Sequence, residues 1–209
     1  MTITRILSLL TACAIAGNAF GADKTSADKS SEDKAIQVMK ASFKERGQAK
    51  LDRLDSDETM TLCNQYAGGK LPNEVARKIQ ASNLKAIKLP ADGKLLGDWK
   101  AGEKIAQSGV GKQFSDNPAN PNGGNCYACH QLAPQELAYG NIGPSLYNYG
   151  KLRGNSKAIQ EYAFGKIYNA EAYAACSNMP RFGHNGILTE QQIKDVTALL
   201  LDPESPVNK

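Results

Sequence analysis

The sequence predicts an all-α fold with long connecting loops. Apolar residues recur at helical spacing in several segments, and no segment shows the alternation typical of a half-buried strand. The best-marked helix follows Thr189, where a T-x-x-Q capping box precedes an apolar face and Pro203 follows the end. These features indicate an all-α class in which loops carry much of the chain.

The first 21 residues predict export. Arg5 precedes a short apolar run at 6–16, and small residues follow it, which is the order of a cleaved signal peptide. The run is well short of the roughly 20 apolar residues that span a bilayer. We therefore expect a periplasmic mature protein without a membrane span. Cys13 in "LTAC" leaves a lipoprotein acceptor site open as an alternative.

Two further segments precede the main domain. Residues 22–34 are small, polar and charged, so we expect a flexible leader. Residues 35–95 predict a helical N-terminal extension, with helical spacing to about residue 67 and a break at "GGKLP". A further helix is expected over 73–87. Its apolar positions are Val75, Ile79 and Leu84.

Residues 96–209 predict a separate domain. Asp98 suits the N-cap of a helix beginning at Trp99, in which Gly102 and Ala106 would allow another helix to approach closely. Ser156 suits the N-cap of a second helix. Loops connect these helices to the one that follows Thr189.

The chemistry of the domain centres on the stretch "GGNCYACHQ". Cys126, Cys129 and His130 form a C-x-x-C-H motif, the attachment signature of c-type haem. Two thiols at this spacing can bond the two vinyl groups of one haem, and the histidine can then reach the iron from one face. The sequence therefore predicts one covalently attached haem c.

Other uses of the motif fit less well. A zinc site needs about four ligands, usually from two separated pairs, and the chain has no second close pair. A thioredoxin-type motif needs a βαβ context. A plain disulfide framework would leave His130 without a role.

The sixth iron position has three candidate states, namely Met179, His184 or an open site. Met179 lies in the loop "CSNMPRFGHNG", well downstream of His130, where the chain could reach the other haem face. Ligation by histidine and methionine raises the reduction potential and closes the iron to substrates. We favour Met179 and expect His184 on the surface or near the ligands; loop packing is the alternative role for Met179.

Pro144 has a predicted role in the turn "GNIGPSL". Its carbonyl can accept a hydrogen bond from the free ring N–H of His130, which would fix the tautomer and orientation of that ring. A plain turn is the alternative.

Cys63 and Cys176 are the thiols left once the haem cysteines are assigned and Cys13 is removed with the signal peptide. In an oxidising compartment they predict a disulfide between the extension and the loop before Met179. A free functional Cys176, or its pairing with a partner, stays open as an alternative.

The overall charge excludes one class of partner. The chain has 25 Lys and Arg against 21 Asp and Glu, a formal net charge of +4, and its basic residues are scattered. No basic block is long enough to predict nucleic-acid binding.

The motif, "GNIGPSLYNYG", "KIYNAEAY" and "CSNMPRFGHNGILTEQQIKDVTALLLDPESPVN" together resemble the SoxX subunit of the SoxAX cytochromes of bacterial sulfur oxidation. The resemblance runs from about Gly97 to Asn208, and the extension at 35–95 resembles that of longer members. It implies a class I cytochrome c domain in which the Trp99 helix crosses the Thr189 helix. Residue by residue, it implies haem attachment at Cys126 and Cys129. It implies His130 and Met179 as axial ligands.

The resemblance also implies a function. The chain would be the electron-transfer subunit of a heterodimeric L-cysteine S-thiosulfotransferase, with the catalytic residues on its partner SoxA. That enzyme joins thiosulfate oxidatively to a cysteine of the SoxYZ carrier protein, and a small acceptor cytochrome takes the electrons. A free-standing periplasmic electron shuttle, or an enzyme or gas sensor with an open iron, are the alternatives.

Overall fold

Helices account for the regular structure of residues 26–209, the part of the chain that the computed structural model describes. The α-helices are α1 (Ser26–Ser42), α2 (Glu58–Gln65), α3 (Asn73–Lys85), α4 (Trp99–Gln107), α5 (Tyr149–Arg153), α6 (Lys157–Tyr168) and α7 (Glu190–Leu201). The described residues contain no strand beyond an isolated bridge between Arg46 and Ala49. The predicted all-α class, with a helical region before the main domain, is confirmed. The signal peptide predicted for residues 1–21 lies outside the described residues.

The chain divides into two units, Met1–Phe43 and Lys44–Lys209. In the first, α1 begins at Ser26, so residues 26–34 are helical where we expected a flexible leader. This stretch contains no glycine or proline, and its alanine, lysine and glutamate residues favour a helix. The remainder of the predicted leader, like the signal peptide, lies outside the described residues.

The second unit contains most of the predicted extension together with residues 96–209. The helical pattern expected from 35 to about 67 is interrupted between α1 and α2, where only a 3₁₀ helix occurs at Leu51–Leu54. Gly47 has a φ of 53° and lies so close to the Phe114 carbonyl that a Cβ would collide with it. This close approach, which the periodicity does not reveal, explains the interruption.

Helix α3 begins at the predicted residue and ends two residues before the predicted end, and one predicted buried position is wrong. Ile79 is buried as expected, whereas Leu84 is 53% exposed. Asn83 is buried in its place because its amide donates to the Thr59 hydroxyl at 2.8 Å and to the Ile79 carbonyl at 2.9 Å. A buried amide with these partners is tolerated. Asn83 is therefore buried where we expected Leu84.

The main core forms where α4 packs on α7. Gly102 and Ala106 are buried, and a Cβ on Gly102 would collide with the Asp195 carbonyl, so the two helices touch through their backbones. Helix α7 begins with the predicted capping box of Thr189 and Gln192 and buries nine of its residues. Asp98 and Ser156 cap α4 and α6 as expected. Helices α4 and α7 pack against each other, as the resemblance implied for the Trp99 and Thr189 helices.

No helix within the described range is both long and apolar enough to cross a membrane.

Candidate haem site

The C-x-x-C-H segment forms a tight turn. Residues Cys126–Ala128 are a 3₁₀ helix, and the N–H groups of Cys129 and His130 both donate to the Cys126 carbonyl, at 3.1 Å and 2.9 Å. In a 3₁₀ helix, side chains three positions apart lie on the same side. The two cysteines are free thiols that do not pair with each other. The turn therefore presents both thiols to one side, as attachment to one haem requires.

The loop at 140–146 runs along this turn and is bonded to it by backbone hydrogen bonds. These bonds are Gly140 N–H to Tyr127 O at 2.8 Å, Gly143 N–H to Cys129 O at 2.9 Å and Leu146 N–H to Gln131 O at 2.8 Å. The loop thus holds the haem-binding segment at three successive points.

The ring of His130 is fixed from this loop. Its Nδ1 lies 2.7 Å from the Pro144 carbonyl oxygen. A carbonyl can only accept, so Nδ1 carries the proton and Nε2 keeps a lone pair for a metal. The contact predicted for Pro144 is present, and the ring has the tautomer that an iron ligand needs.

Gly143 fixes the same ring sterically, a role that sequence reasoning missed. A Cβ on Gly143 would collide with the imidazole, since it would lie 2.5 Å from Nδ1 and 2.7 Å from Nε2. Only glycine allows the loop to lie this close to His130. The glycine before Pro144 was the signal in the sequence, but it predicted a turn and not a contact.

Tyr127, between the two cysteines, anchors the turn to the core. It is buried; its hydroxyl donates to Glu103 on α4 at 3.1 Å and accepts from the Ala133 N–H at 3.3 Å. Burial raises the pKa of Glu103, although its hydrogen bonds oppose this. Burial, reinforced by the Glu103 charge, raises the pKa of Tyr127, so its hydroxyl stays protonated at neutral pH. Nothing in the motif pointed to this residue.

Met179 lies in the predicted loop and is half-buried. It packs against the buried cluster that contains Tyr127, within the motif, and Leu132, just after it. Cys126 packs against that cluster as well. Its N–H donates to the Ser177 hydroxyl at 3.2 Å. The structure thus gathers Cys126 and Met179 around one cluster.

His184, the other candidate ligand, is exposed and lies near Asp57 and Arg181. The backbone N–H groups of His184 and Gly183 both donate to the Tyr168 carbonyl at 3.0 Å. Burial of part of the ring and the nearby Arg181 charge lower the pKa of His184, and Asp57 opposes them. The surface position expected for His184 is therefore observed.

We expect acidification from pH 7 to pH 5 to destabilise the protein partly through His184. Because its pKa is lowered in the folded state, the unfolded chain binds this proton first, and stability falls as pH drops below the ordinary value of about 6.5. Urea unfolding midpoints at both pH values measure the effect. The decrease in the urea midpoint should be smaller in His184→Gln than in the parent. Equal decreases in the two proteins would show that His184 does not cause the loss of stability.

Cys63 on α2 and Cys176 form a disulfide, with Cα atoms 5.4 Å apart across 113 positions. The predicted bridge is confirmed, and it connects the extension to the start of the Met179 loop.

The bridge and the haem together should leave no reactive thiol in the mature holoprotein. Alkylation after denaturation, followed by intact mass measurement, should add no alkyl group, whereas prior reduction should expose the two cysteines of the bridge. Alkylation without reduction would contradict the pairing of Cys63 with Cys176.

The residues present fit a c-type haem. The donor set consists of two free thiols on one side of a tight turn and an imidazole whose Nδ1 is already bonded, which leaves Nε2 for iron. Clusters of other metal-binding side chains are absent from the residues that the structure describes.

Comparison with known proteins agrees with this donor set. The cytochrome c family model matches residues 110–202. The chain is 44% identical over 126 residues to an uncharacterized lipoprotein of Aquifex aeolicus, a match that spans 59% of this chain and 58% of that protein. The chain therefore spans little more than half the length of this curated relative.

The matched region includes the C-x-x-C-H turn, the loop through Pro144, the Met179 segment and α7. Residues 110–202 therefore match a cytochrome c domain. The cytochrome c family implies an electron-transfer protein with covalently attached haem c.

Proposed function

We propose that this chain is the monohaem electron-transfer subunit of a SoxAX-type thiosulfate-oxidising complex. The observation that carries the proposal is the segment "MPRFGH" followed by the capped helix α7 and "LLLDPESPVN". This combination is much more specific than C-x-x-C-H, which predicts only a c-type cytochrome.

In this proposal Cys126 and Cys129 hold the haem through thioether bonds. His130 Nε2 and the Met179 sulfur would ligate its iron. The haem, when bound, supplies one-electron redox chemistry. Ligation by histidine and methionine leaves no position for a substrate, so this chain moves electrons and makes no bond itself.

The hydrogen bond from His130 to Pro144 supports rapid electron transfer. A ligand held by its other ring nitrogen keeps its orientation in both oxidation states. Gly143 and the backbone bonds of the loop at 140–146 restrict the same ring further. The surroundings of the iron ligand therefore need little rearrangement when an electron arrives.

The partners follow from the same proposal. SoxA carries the catalytic residues of the L-cysteine S-thiosulfotransferase, the SoxYZ carrier protein supplies the accepting cysteine, and a small cytochrome receives the electrons. Leu137 and Ile142, in the segment that follows the haem-binding turn, are 88% and 71% exposed. Large exposed apolar side chains are a surface that a protein partner would cover.

The proposed location is the periplasm. The predicted signal peptide supports export, and the description of the Aquifex relative as a lipoprotein favours the alternative of a lipid on Cys13. The mass of the mature N terminus distinguishes the two forms. A cleaved signal peptide gives a first residue near position 22, whereas lipoprotein processing gives an acylated Cys13.

The test is a pull-down of the tagged holoprotein from cells grown on thiosulfate. We expect a second cytochrome in equal amount, and we expect the haem of the eluate to be reduced when thiosulfate and the carrier protein are added together. Isolation of this chain alone, with no response to thiosulfate, would contradict the subunit role. A free-standing electron shuttle would then be the better assignment.

A further inference from the structure

The extension is tied covalently to the Met179 segment. Cys63 belongs to α2, and its disulfide partner Cys176 begins the loop that carries Met179. The N–H of Cys176 also donates to the Glu171 carboxylate at 2.6 Å, and Glu171 is buried. The start of the loop is therefore held by the disulfide to the extension and by the hydrogen bond to Glu171.

A second tie lies on the other side of Met179. Arg181 is buried, and its guanidinium lies 2.6 Å from the Asp57 carboxylate at the N terminus of α2. Without Asp57 this buried arginine would keep only the nearby Glu171 carboxylate. A buried charge that loses a partner costs more than an exposed pair contributes. Met179 thus lies between two ties, at Cys176 and Arg181, that lead to the same helix of the extension.

The helix that provides both ties is itself docked. Asn83 on α3 donates to Thr59 on α2 at 2.8 Å, and the Asn169 amide donates to the Asn83 oxygen at 2.9 Å. Gln80 donates to the Tyr173 carbonyl at 3.2 Å. Helices α2 and α3 of the extension are therefore hydrogen-bonded to each other, and α3 is bonded to the chain just before the Met179 loop. Helix α2 can thus act as a rigid support for the Met179 loop.

We propose that the extension is a brace that holds the Met179 segment closed over the haem, with Asp57, Cys63, Cys176 and Arg181 as positioning residues. The proposal rests on the proposed function in one respect, the ligation of the iron by Met179. It assigns a role to the extension, which the electron-transfer chemistry itself does not require.

The brace has a measurable consequence. An external ligand such as imidazole binds the ferric iron only in the fraction of molecules whose methionine ligand is displaced. Its apparent affinity is the intrinsic affinity multiplied by that fraction. Weakening a tie increases the open fraction by local unfolding of the loop, so imidazole should bind more tightly without any change at the haem ligands themselves.

The experiment is a titration of the ferric holoprotein with imidazole, followed by haem absorbance. Asp57→Asn keeps an N-cap oxygen for the Met60 N–H but removes the charge that faces Arg181. The double variant Cys63→Ala, Cys176→Ala removes the disulfide without leaving a thiol. We expect imidazole affinity to rise about tenfold in the first variant and at least as much in the second.

Asp92→Asn is the matched control. Asp92 also belongs to the extension, and it also pairs with a buried cation, Lys194 on α7, at 3.2 Å. Glu190 is a second partner of Lys194, at 3.1 Å. Lys194 lies on α7 and not on the Met179 segment. We expect Asp92→Asn to lower the urea midpoint of unfolding, though less than Asp57→Asn because Glu190 still faces Lys194. Imidazole affinity should stay within about twofold of the parent, because global unfolding is far rarer than loop opening.

Two results would overturn the proposal, and they are distinguishable. If Asp57→Asn retains its haem and helix content but binds imidazole like the parent, the brace is wrong while Met179 ligation stands. If Met179→Ala binds imidazole no more tightly than the parent, methionine does not ligate the iron, and both the brace and the ligand assignment fail. Should the double variant not fold, Asp57→Asn alone decides.

Discussion

Replacing Met179 with alanine should lower the reduction potential of the haem by on the order of 0.1 V, because the axial ligand is a main determinant of that potential. The variant should also lose the sulfur-to-iron charge-transfer band of the oxidised protein and bind carbon monoxide in the reduced state. Redox titration and absorption spectra measure these changes. The covalent haem should remain, since Cys126, Cys129 and His130 are unchanged.

Met60→Ala is the matched control for this substitution. Met60 lies on α2 and is 44% exposed, so its removal deletes a methionine side chain that is not a candidate iron ligand. We expect the parent potential and spectrum in this variant. Equal spectra in Met179→Ala and the parent would exclude Met179 as the ligand and would favour an open iron or His184.

Replacing Gly143 with alanine should displace His130. The added Cβ would overlap the imidazole. Neither group can move freely, because the ring is hydrogen-bonded to the Pro144 carbonyl and the Gly143 N–H to the Cys129 carbonyl. Overpacking of this kind costs about 3 kcal/mol of stability. We expect a lower yield of holoprotein, a lower urea midpoint and an altered low-spin spectrum.

Gly69→Ala provides the comparison for this prediction. Its nearest neighbour to an added Cβ is the Tyr66 carbonyl at 3.7 Å, an ordinary van der Waals distance. This variant should have the parent yield and spectrum. A Gly143→Ala protein with parent spectrum and stability would show that the loop does not restrain the histidine ring.

The parts of the fold that the sequence predicts are those encoded locally. The caps at Asp98, Ser156 and Thr189 each need only a side chain and a backbone N–H a few residues away, and all three are present. The C-x-x-C-H turn and the Gly-Pro turn are also local. The small residues of α4 predicted a close helix contact because short side chains let the backbone of another helix approach.

The features that the sequence does not reveal depend on residues far apart in the chain. The interruption after α1 depends on the contact of Gly47 with Phe114, and the burial of Asn83 in place of Leu84 depends on Thr59 and Asn169. The helical periodicity of the sequence predicts neither contact. In each case a tertiary hydrogen bond or close approach outweighs the local preference.

The same distinction holds at the site. Cys126, Cys129, His130 and Pro144 could be named from the sequence because their chemistry lies within one short segment. Tyr127 could not, because its role comes from Glu103 on another helix. The ion pair of Arg181 with Asp57 crosses from the extension to the Met179 loop. Only the three-dimensional structure shows that two distant charges meet there.

X-ray absorption fine structure at the iron edge of the holoprotein tests the central claim, a closed haem ligated by His130 and Met179, most directly. The account predicts one sulfur atom in the first iron shell of both the ferric and the ferrous protein, and its loss in Met179→Ala. A first shell of nitrogen and oxygen alone in the parent protein would contradict the account.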